Sequence, residues 1–276
     1  MINLSLGYSP CPNDTFIFYA LTHGRVDMPG VTLTESLDDV ETLNRRALGT
    51  ELDLTKVSFH AFAYLMKDYC LLKSGAALGR GCGPLVVTKK PMSMDALRGK
   101  KFAIPGRYTT AHLLLMLYGE GYDDVVVVPF DKVMDAVASG EVDAGLVIHE
   151  GRFTYESRGL VRALDLGEWW ESVTGLPIPL GGILARRSLG ADVIHSVEDG
   201  IRQSILYARA HPDETKAYIK AHAQELDDRV IEEHIALYVN DFSLDLGAEG
   251  VSAVEELFRR AADRGAILRA TAPIFI

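Results

Sequence analysis

The 276-residue sequence is short of cysteine, of positive charge and of long apolar runs. Its three cysteines, Cys11, Cys70 and Cys82, are an odd number without metal-binding spacing, so we expect reduced thiols and no structural zinc. Lysine and arginine total 28 against 38 acidic residues, and the net charge of −10 argues against nucleic acid or an anionic membrane as partner. The apolar runs are too short to span a bilayer, and no signal-peptide pattern is evident. These absences predict a cytoplasmic protein.

Motifs for metals and nucleotides are missing as well. The eight histidines form no HExxH or comparable ligand set, so no metal is predicted. The glycine-rich segment at 79–84 fits neither the dinucleotide fingerprint nor a phosphate-binding loop. The composition that remains, 48% hydrophobic and 24% charged, is ordinary for a globular protein with a substantial core.

Strand and helix patterns alternate through about residue 180, and helices then dominate. The last part has helical periodicity over 193–210, 212–223, 229–239 and 251–264. Alternation of this kind is typical of a mostly parallel sheet that is covered on both faces. The sequence therefore predicts an α/β fold with a helical C-terminal part.

The alternation is interrupted once and later resumes, which indicates two crossings between lobes. The interruption follows Thr88, and a strand returns at 183–186. We therefore predict a two-lobed clam-shell in which residues 1–90 plus 179–276 form a discontinuous first lobe and 91–178 form an inserted second lobe. Concave sites favour such interfaces, so the ligand is expected between the lobes.

A histidine follows the most clearly buried strand pattern, the apolar run at 144–148. His149 is followed by Glu150 and then by a glycine. Ligands of open α/β sheets bind outside the carboxyl ends of strands, where a histidine can accept or deliver a proton near neutral pH. The alternative is a histidine that only hydrogen-bonds to a loop, and the role of Glu150 stays open.

Short polar residues follow the first predicted strand. Ser9, Asn13 and Thr15 lie in a proline-stiffened loop at the start of a helix. Helix N-termini present free N–H donors and a partial positive charge, which suit a carboxylate or an oxyanion. The alternative is ordinary capping after a proline turn. Cys11 lies in the same loop, and a buried, inert thiol is one possible role for it.

Two further junctions offer polar groups toward the predicted cleft. Lys56 and Ser58 alternate to the same side of a strand end, so Ser58 can bond a ligand and Lys56 can supply charge. The alternative is a surface lysine and a capping serine. Thr109 and Thr110 open an apolar helix and offer two hydroxyls with backbone N–H groups. There, one threonine can cap while the other is incidental.

The four junctions together resemble a known family. The motifs are Ser-Pro-Cys-Pro-Asn-Asp-Thr-Phe at 9–16, Lys-Val-Ser at 56–58, Thr-Thr at 109–110 and Ile-His-Glu-Gly-Arg-Phe-Thr-Tyr at 148–155. They resemble the 1,4-dihydroxy-6-naphthoate synthases of the futalosine route to menaquinone, over nearly the whole chain. The first and last motifs are specific, whereas the two short ones mean little alone.

The resemblance implies a fold like that of type II periplasmic binding proteins. It implies a lyase that converts cyclic dehypoxanthine futalosine, a small carboxylate, to 1,4-dihydroxy-6-naphthoate without a metal or redox cofactor. It also implies that His149 is the proton acceptor. The substrate-binding residues that it implies are Lys56, Val57, Ser58, Thr109 and Thr110.

Two other functions remain open at this stage. The nearer is a chorismate dehydratase, another enzyme of the same fold and route, although the first and last motifs count against it. The farther is a solute-binding or ligand-sensing protein that holds a small anion unchanged. The sequence leaves the oligomeric state open.

Overall fold

The computed structural model describes residues 1–224, 227–269 and 272–276, which form eleven strands and twelve α-helices. The strands in chain order are β1 (Ile2–Tyr8), β2 (Val31–Leu37), β3 (Leu54–Ser58), β4 (Tyr69–Leu71), β5 (Ala77–Gly79), β6 (Leu85–Thr88), β7 (Phe102–Ile104), β8 (Val125–Val127), β9 (Ala144–Val147), β10 (Val161–Asp165) and β11 (Ile178–Arg186). The helices are α1 (Pro12–Thr22), α2 (Val40–Leu48), α3 (Phe59–Phe62), α4 (Thr110–Tyr118), α5 (Val133–Ser139), α6 (Gly151–Thr154), α7 (Leu166–Thr174), α8 (Ala191–Ala210), α9 (Pro212–His222), α10 (Asp228–Tyr238), α11 (Asp241–Leu244) and α12 (Gly247–Asp263).

The strands form two separate sheets, one in each lobe. The first has the order β2-β1-β3-β11-β4, with β5 paired to β11. The second has the order β10-β6-β9-β7-β8. The predicted α/β architecture with two lobes is therefore confirmed, and α8, α9, α10 and α12 confirm the predicted helical C-terminal part.

The sheets are mixed, so the prediction of a mostly parallel sheet is wrong. Strand β1 is parallel to β2 and β3, and β7 is parallel to β8 and β9. Strand β11 is antiparallel to its three neighbours, and β6 is antiparallel to β9 and β10. The antiparallel strands are those that follow each crossing, because the chain enters the next sheet in the opposite direction.

The first crossing precedes the predicted boundary. Strand β6 belongs to the second sheet, so the chain changes lobes between Gly79 and Leu85, whereas the sequence placed all of 1–90 in the first lobe. The error arose because β6 directly follows first-lobe strands and its apolar pattern does not show its partners. The return crossing, between Thr174 and Ile178, lies beside the boundary predicted at 178.

One apolar core connects the lobes, and each lobe has a smaller core of its own. The shared core includes Leu71 and Leu184 of the first sheet, Phe102 of the second, and Phe258 of α12. Trp170 of α7 is fully buried in it, and its Nε1 donates to the Pro177 carbonyl over 3.0 Å. The lobes are thus packed together behind the cleft. None of the described helices has the length and apolar character required to cross a membrane.

Candidate active site

A cavity lies between the lobes, where strand ends of both sheets face helix N-termini. Its empty volume is about 650 Å³, part of which is open to solvent. Eight of the nine residues selected from the sequence line it, namely Ser9, Asn13, Lys56, Val57, Ser58, Thr109, Thr110 and His149. The structure thus brings these eight residues together around one cavity, and their roles in binding and catalysis stay predictions.

Thr15 is the ninth residue, and the structure places it inside the first turn of α1 rather than on the cavity wall. It is fully buried, and its hydroxyl donates to the carbonyls of Cys11 and Pro12 over 3.1 and 3.3 Å. This hydroxyl completes hydrogen bonds within its own turn, so it does not face a ligand.

The first loop is organised around Asp14, whose carboxylate the sequence did not select. Its Oδ2 accepts from the Ser9 hydroxyl over 2.7 Å, and its Oδ1 accepts from Asn13 Nδ2 and Lys56 Nζ, each over 2.8 Å. Lys56 is only 5% exposed, so the surface-lysine interpretation is wrong. The signal that was available was Lys56 on a buried strand, because a buried ammonium requires a carboxylate partner.

Asn44 of α2 holds Ser58 in place at the end of β3. Asn44 Oδ1 accepts from the Ser58 backbone N–H over 2.9 Å, and Asn44 Nδ2 donates to the Ser58 hydroxyl over 3.2 Å. Within the described residues this hydroxyl accepts but does not donate, so its proton is available to a ligand. Asn44 was absent from the sequence-based set because its role depends on a contact between two elements.

The two threonines at the start of α4 use their hydroxyls within the protein. Thr109 caps the helix, since its Oγ1 accepts from His112 N and donates to the Gly106 carbonyl. The Thr110 hydroxyl donates to the Leu180 carbonyl and so links α4 to β11. In the described part of the chain, the backbone N–H groups of Thr110 and Ala111 have no acceptor, and both residues line the cavity. The helix N-terminus can therefore bind an anion there.

His149 follows β9 and lies in the left-handed region, with φ at 55°. This turn brings Glu150 to the same side as His149, although neighbouring residues of an extended strand point apart. Nε2 of His149 is closed off from solvent and has no hydrogen-bond partner among the described residues. Burial lowers the pKa of His149, against the opposing effect of the Glu150 carboxylate. The imidazole is therefore neutral at pH 7 and able to accept a proton.

Cys11 lies beside this histidine. One ligand atom each of Cys11, His149 and Glu150 lies within 4.8 Å of the others, so the three could hold a metal ion. Their separation in sequence hid this arrangement from a search by spacing. Burial raises the pKa of the Cys11 thiol well above its usual range, and the Glu150 carboxylate adds to the effect. The thiol is protonated at neutral pH, as an inert buried cysteine would be.

His234 of α10 also reaches the site, although no role was predicted for it. It is fully buried, and its Nε2 lies 2.9 Å from Asn13 Oδ1. The signal was its place on the buried face of α10, together with Val230, Ile231 and Tyr238. A histidine among such residues needs a polar partner, but the pattern does not say which.

Comparison with known proteins shows the family to which this chain belongs. The sequence profile of a family described as menaquinone biosynthesis matches residues 4–263. A curated relative from Thermus thermophilus, named 1,4-dihydroxy-6-naphthoate synthase, is 55% identical over 273 residues and covers 99% of both chains. A relative of the same name from Streptomyces coelicolor is 48% identical over 271 residues, covering 96% of this chain and 94% of that protein.

Solved structures show the same fold. A protein from Archaeoglobus fulgidus aligns with a TM-score of 0.91 and 40% identity, over 96% of this chain and 98% of that one. The alkanesulfonate-binding protein from Xanthomonas axonopodis pv. citri aligns with a TM-score of 0.73 over 96% and 94%, at 15% identity. The second likeness shows the fold alone, and it confirms the predicted periplasmic-binding-protein-like architecture. The chain thus belongs to the menaquinone biosynthesis family and is an enzyme, as the resemblance in its four junctions predicted.

Proposed function

We propose that the protein is a lyase that converts cyclic dehypoxanthine futalosine to 1,4-dihydroxy-6-naphthoate, with His149 as general base. The observation that carries this proposal is the position of His149 on the wall of a cavity between the lobes, with its Nε2 enclosed and without a hydrogen-bond partner among the described residues. The names of the two curated relatives support the reaction. The free, buried thiols of Cys11, Cys70 and Cys82 fit the cytoplasmic location that the proposal includes.

Binding of the substrate carboxylate is assigned to the α4 N-terminus. The N–H groups of Thr110 and Ala111 offer two donors, and the positive end of the helix dipole favours an anion. The Ser58 hydroxyl adds a third donor from the other lobe. The charge of Lys56 is already matched by Asp14, so Lys56 acts mainly by shaping the first loop.

The chemistry assigned to His149 is proton removal from carbon. The C–H bond next to a carbonyl or hydroxyl breaks and its proton bonds to the imidazole. Its electron pair forms a double bond of the new aromatic ring, while the bond to the departing part of the substrate breaks and that part keeps the bonding electrons. Enclosure between the lobes excludes water and aligns the base with the reacting carbon. The new aromatic ring makes the overall reaction favourable.

The test mixes purified protein with cyclic dehypoxanthine futalosine, without added metal or nucleotide, and detects naphthoate by absorbance and mass. His149→Ala is expected to lower kcat by about 10²-fold or more, the usual scale of general acid–base catalysis, while substrate still binds. Because φ is positive at this position, His149→Asn is the better-matched variant, since asparagine tolerates that conformation and cannot act as the base. His195→Asn on the exposed face of α8 is the control.

Three other outcomes would contradict the assigned base or the assigned function. Near wild-type turnover in both His149 variants would exclude His149 as the base. Tight binding of an unchanged substrate would indicate a solute-binding protein. Turnover of chorismate-type substrates instead would indicate a dehydratase.

A further inference from the structure

A second buried histidine lies behind the proposed base, and the proposed reaction gives it no task. His234 has none of its surface exposed. Its ring is nearly parallel to that of His149, with 6.3 Å between centroids and 13° between planes. The titratable and charged groups that face it are His149, Glu150, Lys56 and Tyr238. A helix from the last part of the chain therefore brings a proton-binding group to the site.

Hydrogen bonds decide which nitrogen of His234 carries the proton. Asn13 Nδ2 donates to Asp14 Oδ1, so the Asn13 amide must direct its oxygen toward His234. That oxygen lies 2.9 Å from His234 Nε2. Because an amide oxygen only accepts, Nε2 of the neutral ring is the donor and Nδ1 is left as an acceptor.

Three buried polar atoms of the neighbouring side chains of His149, Glu150 and His234 have no hydrogen-bond partner in the described part of the chain. They are His149 Nε2, Glu150 Oε2 and His234 Nδ1. The Glu150 and His234 atoms are 4.0 Å apart, and Glu150 is only 8% exposed. Two buried acceptors that face each other are unfavourable, whereas one proton between them makes a hydrogen bond. The cluster has a place for one more proton.

We propose that His234 is a positioning residue that holds the Glu150 carboxyl group beside His149 as a second site for the proton taken from the substrate. The proposal rests on the proposed function. The substrate C–H bond breaks, its electron pair stays with the substrate, and its proton bonds to His149. The imidazolium then gives a proton to the Glu150 carboxylate, and the new O–H donates to His234 Nδ1. His149 becomes a neutral base again, and the proton leaves the Glu150 carboxyl group for water when the product departs. Nothing is oxidised or reduced.

His234 itself stays neutral in this scheme. Burial lowers the pKa of His234 well below its usual range, and the nearby His149 and Lys56 add to the effect. A neutral ring in one tautomer can accept a hydrogen bond from Glu150 without removing the proton. The Glu150 carboxyl group has only to close the 4.0 Å gap to an ordinary hydrogen-bond length of about 2.7–3.0 Å.

Two amide substitutions test the donor role of His234 Nε2 and the acceptor role of His234 Nδ1 separately. His234→Gln can place an amide nitrogen near the Nε2 position, which keeps the donor to Asn13 and removes the acceptor toward Glu150. His234→Asn can place an oxygen near the Nδ1 position and keep that acceptor. We expect His234→Gln to lower kcat about tenfold with KM within about twofold, and His234→Asn to keep most of kcat, because one hydrogen bond to a charged or proton-carrying group is at stake. The exposed His195→Gln is the matched control.

The coupling between His234 and Glu150 gives the second test. The side-chain amide introduced by Glu150→Gln can donate to His234 at all times, but it cannot receive a proton. We therefore expect this variant to have a lower kcat. The double variant Glu150→Gln with His234→Gln should be no slower than the slower single variant. Losses that multiply, equal losses in His234→Gln and His234→Asn, or a wild-type kcat in His234→Gln would each overturn the proposal.

A measurement that does not depend on turnover completes the test. In ¹⁵N spectra of the histidine side chains, the signal that His234→Gln removes should show a proton on Nε2 and none on Nδ1 from about pH 5 to 8. A proton on Nδ1 would overturn the proposal. Absence of naphthoate with the wild-type protein would instead contradict the proposed function, so the two failures are distinguishable.

Discussion

Two loops meet in the cavity, one at residues 9–14 in the first lobe and one at 148–151 in the second lobe. The first-lobe loop pairs its buried polar groups, whereas the second-lobe loop leaves two buried atoms unpaired among the described residues. In the first-lobe loop, the Asp14 carboxylate accepts hydrogen bonds from Ser9 and Asn13 and pairs with Lys56. In the second-lobe loop, His149 and Glu150 each keep a buried atom without a partner among the described residues. A paired network fixes the shape of a site. Unpaired groups cost stability, about 1–3 kcal/mol each, but they remain available to the reaction.

The largest effect on stability is expected from a substitution that leaves an unpaired group in the first-lobe loop as well. Lys56→Met leaves the Asp14 carboxylate buried without its cation, so the first loop would also contain an unpaired group. We expect the free energy of unfolding to fall by about 3–5 kcal/mol, measured by urea denaturation. The exposed Lys100→Met is the control. A loss below about 1 kcal/mol would show that the ion pair does not hold the loop.

The pH dependence of turnover tests whether His149, in the second-lobe loop, is a base whose pKa is lowered by burial. Because burial lowers the pKa of His149, its base form persists below pH 6.5. We expect kcat/KM to be level near pH 7 and to fall, about tenfold per pH unit, as the pH drops through the lowered pKa. Glu150→Gln should move this fall to lower pH, since the Glu150 carboxylate raises the pKa of His149. A fall that begins above pH 6.5 would contradict a desolvated base.

Thr110→Val removes a hydroxyl that joins the two sides of the cavity. This hydroxyl donates to the Leu180 carbonyl, so its loss should loosen the α4 N-terminus where the carboxylate is expected to bind. We expect KM to rise by about 2- to 12-fold, as for one hydrogen bond of 0.5–1.5 kcal/mol. Steady-state kinetics measure it, and Thr110→Ser should restore the wild-type KM. If KM and kcat are unchanged in Thr110→Val, the hydroxyl does not support binding.

The smallest effect is expected from removing metal ions. Cys11, His149 and Glu150 are close enough to hold one, yet the proposed reaction uses two of them for protons. Dialysis against a chelator should therefore leave kcat and KM unchanged. Activity that is lost with the chelator and restored by Zn²⁺ would assign the unpaired atoms to a metal instead of a proton.

The junctions were predictable because their signals are local. Ser9, Ser58, Thr109 and His149 each stand where a strand pattern ends, and such ends converge in α/β folds. The helices of the last part were equally readable, since each has its own periodicity. Thr15 shows the limit of this reasoning, because a hydroxyl at a helix start can bond its own turn instead of a ligand.

The ion-pair and hydrogen-bond partners of these residues were not predictable, because each pair connects segments that are distant in the sequence. Nothing near Lys56 in the sequence indicates Asp14, and nothing near Asn13 indicates His234 on α10. Strand direction and the sheet to which β6 belongs depend in the same way on contacts that a local apolar pattern does not specify. A buried charge or a polar residue on an apolar helix face shows only that a partner exists.

The position of β11 has a consequence for how the chain is made. This strand lies inside the first sheet, where it pairs with β3, β4 and β5, yet it is synthesised after every strand of the second sheet. A nascent chain that has just completed β10 holds all the strands of the second sheet, while β4 and β5 still await the strand with which they pair. The first sheet can therefore be completed only after the whole of the second sheet has been synthesised. Leu180 and Gly181 of β11 line the cavity, so the cleft cannot be complete before this strand has joined the sheet.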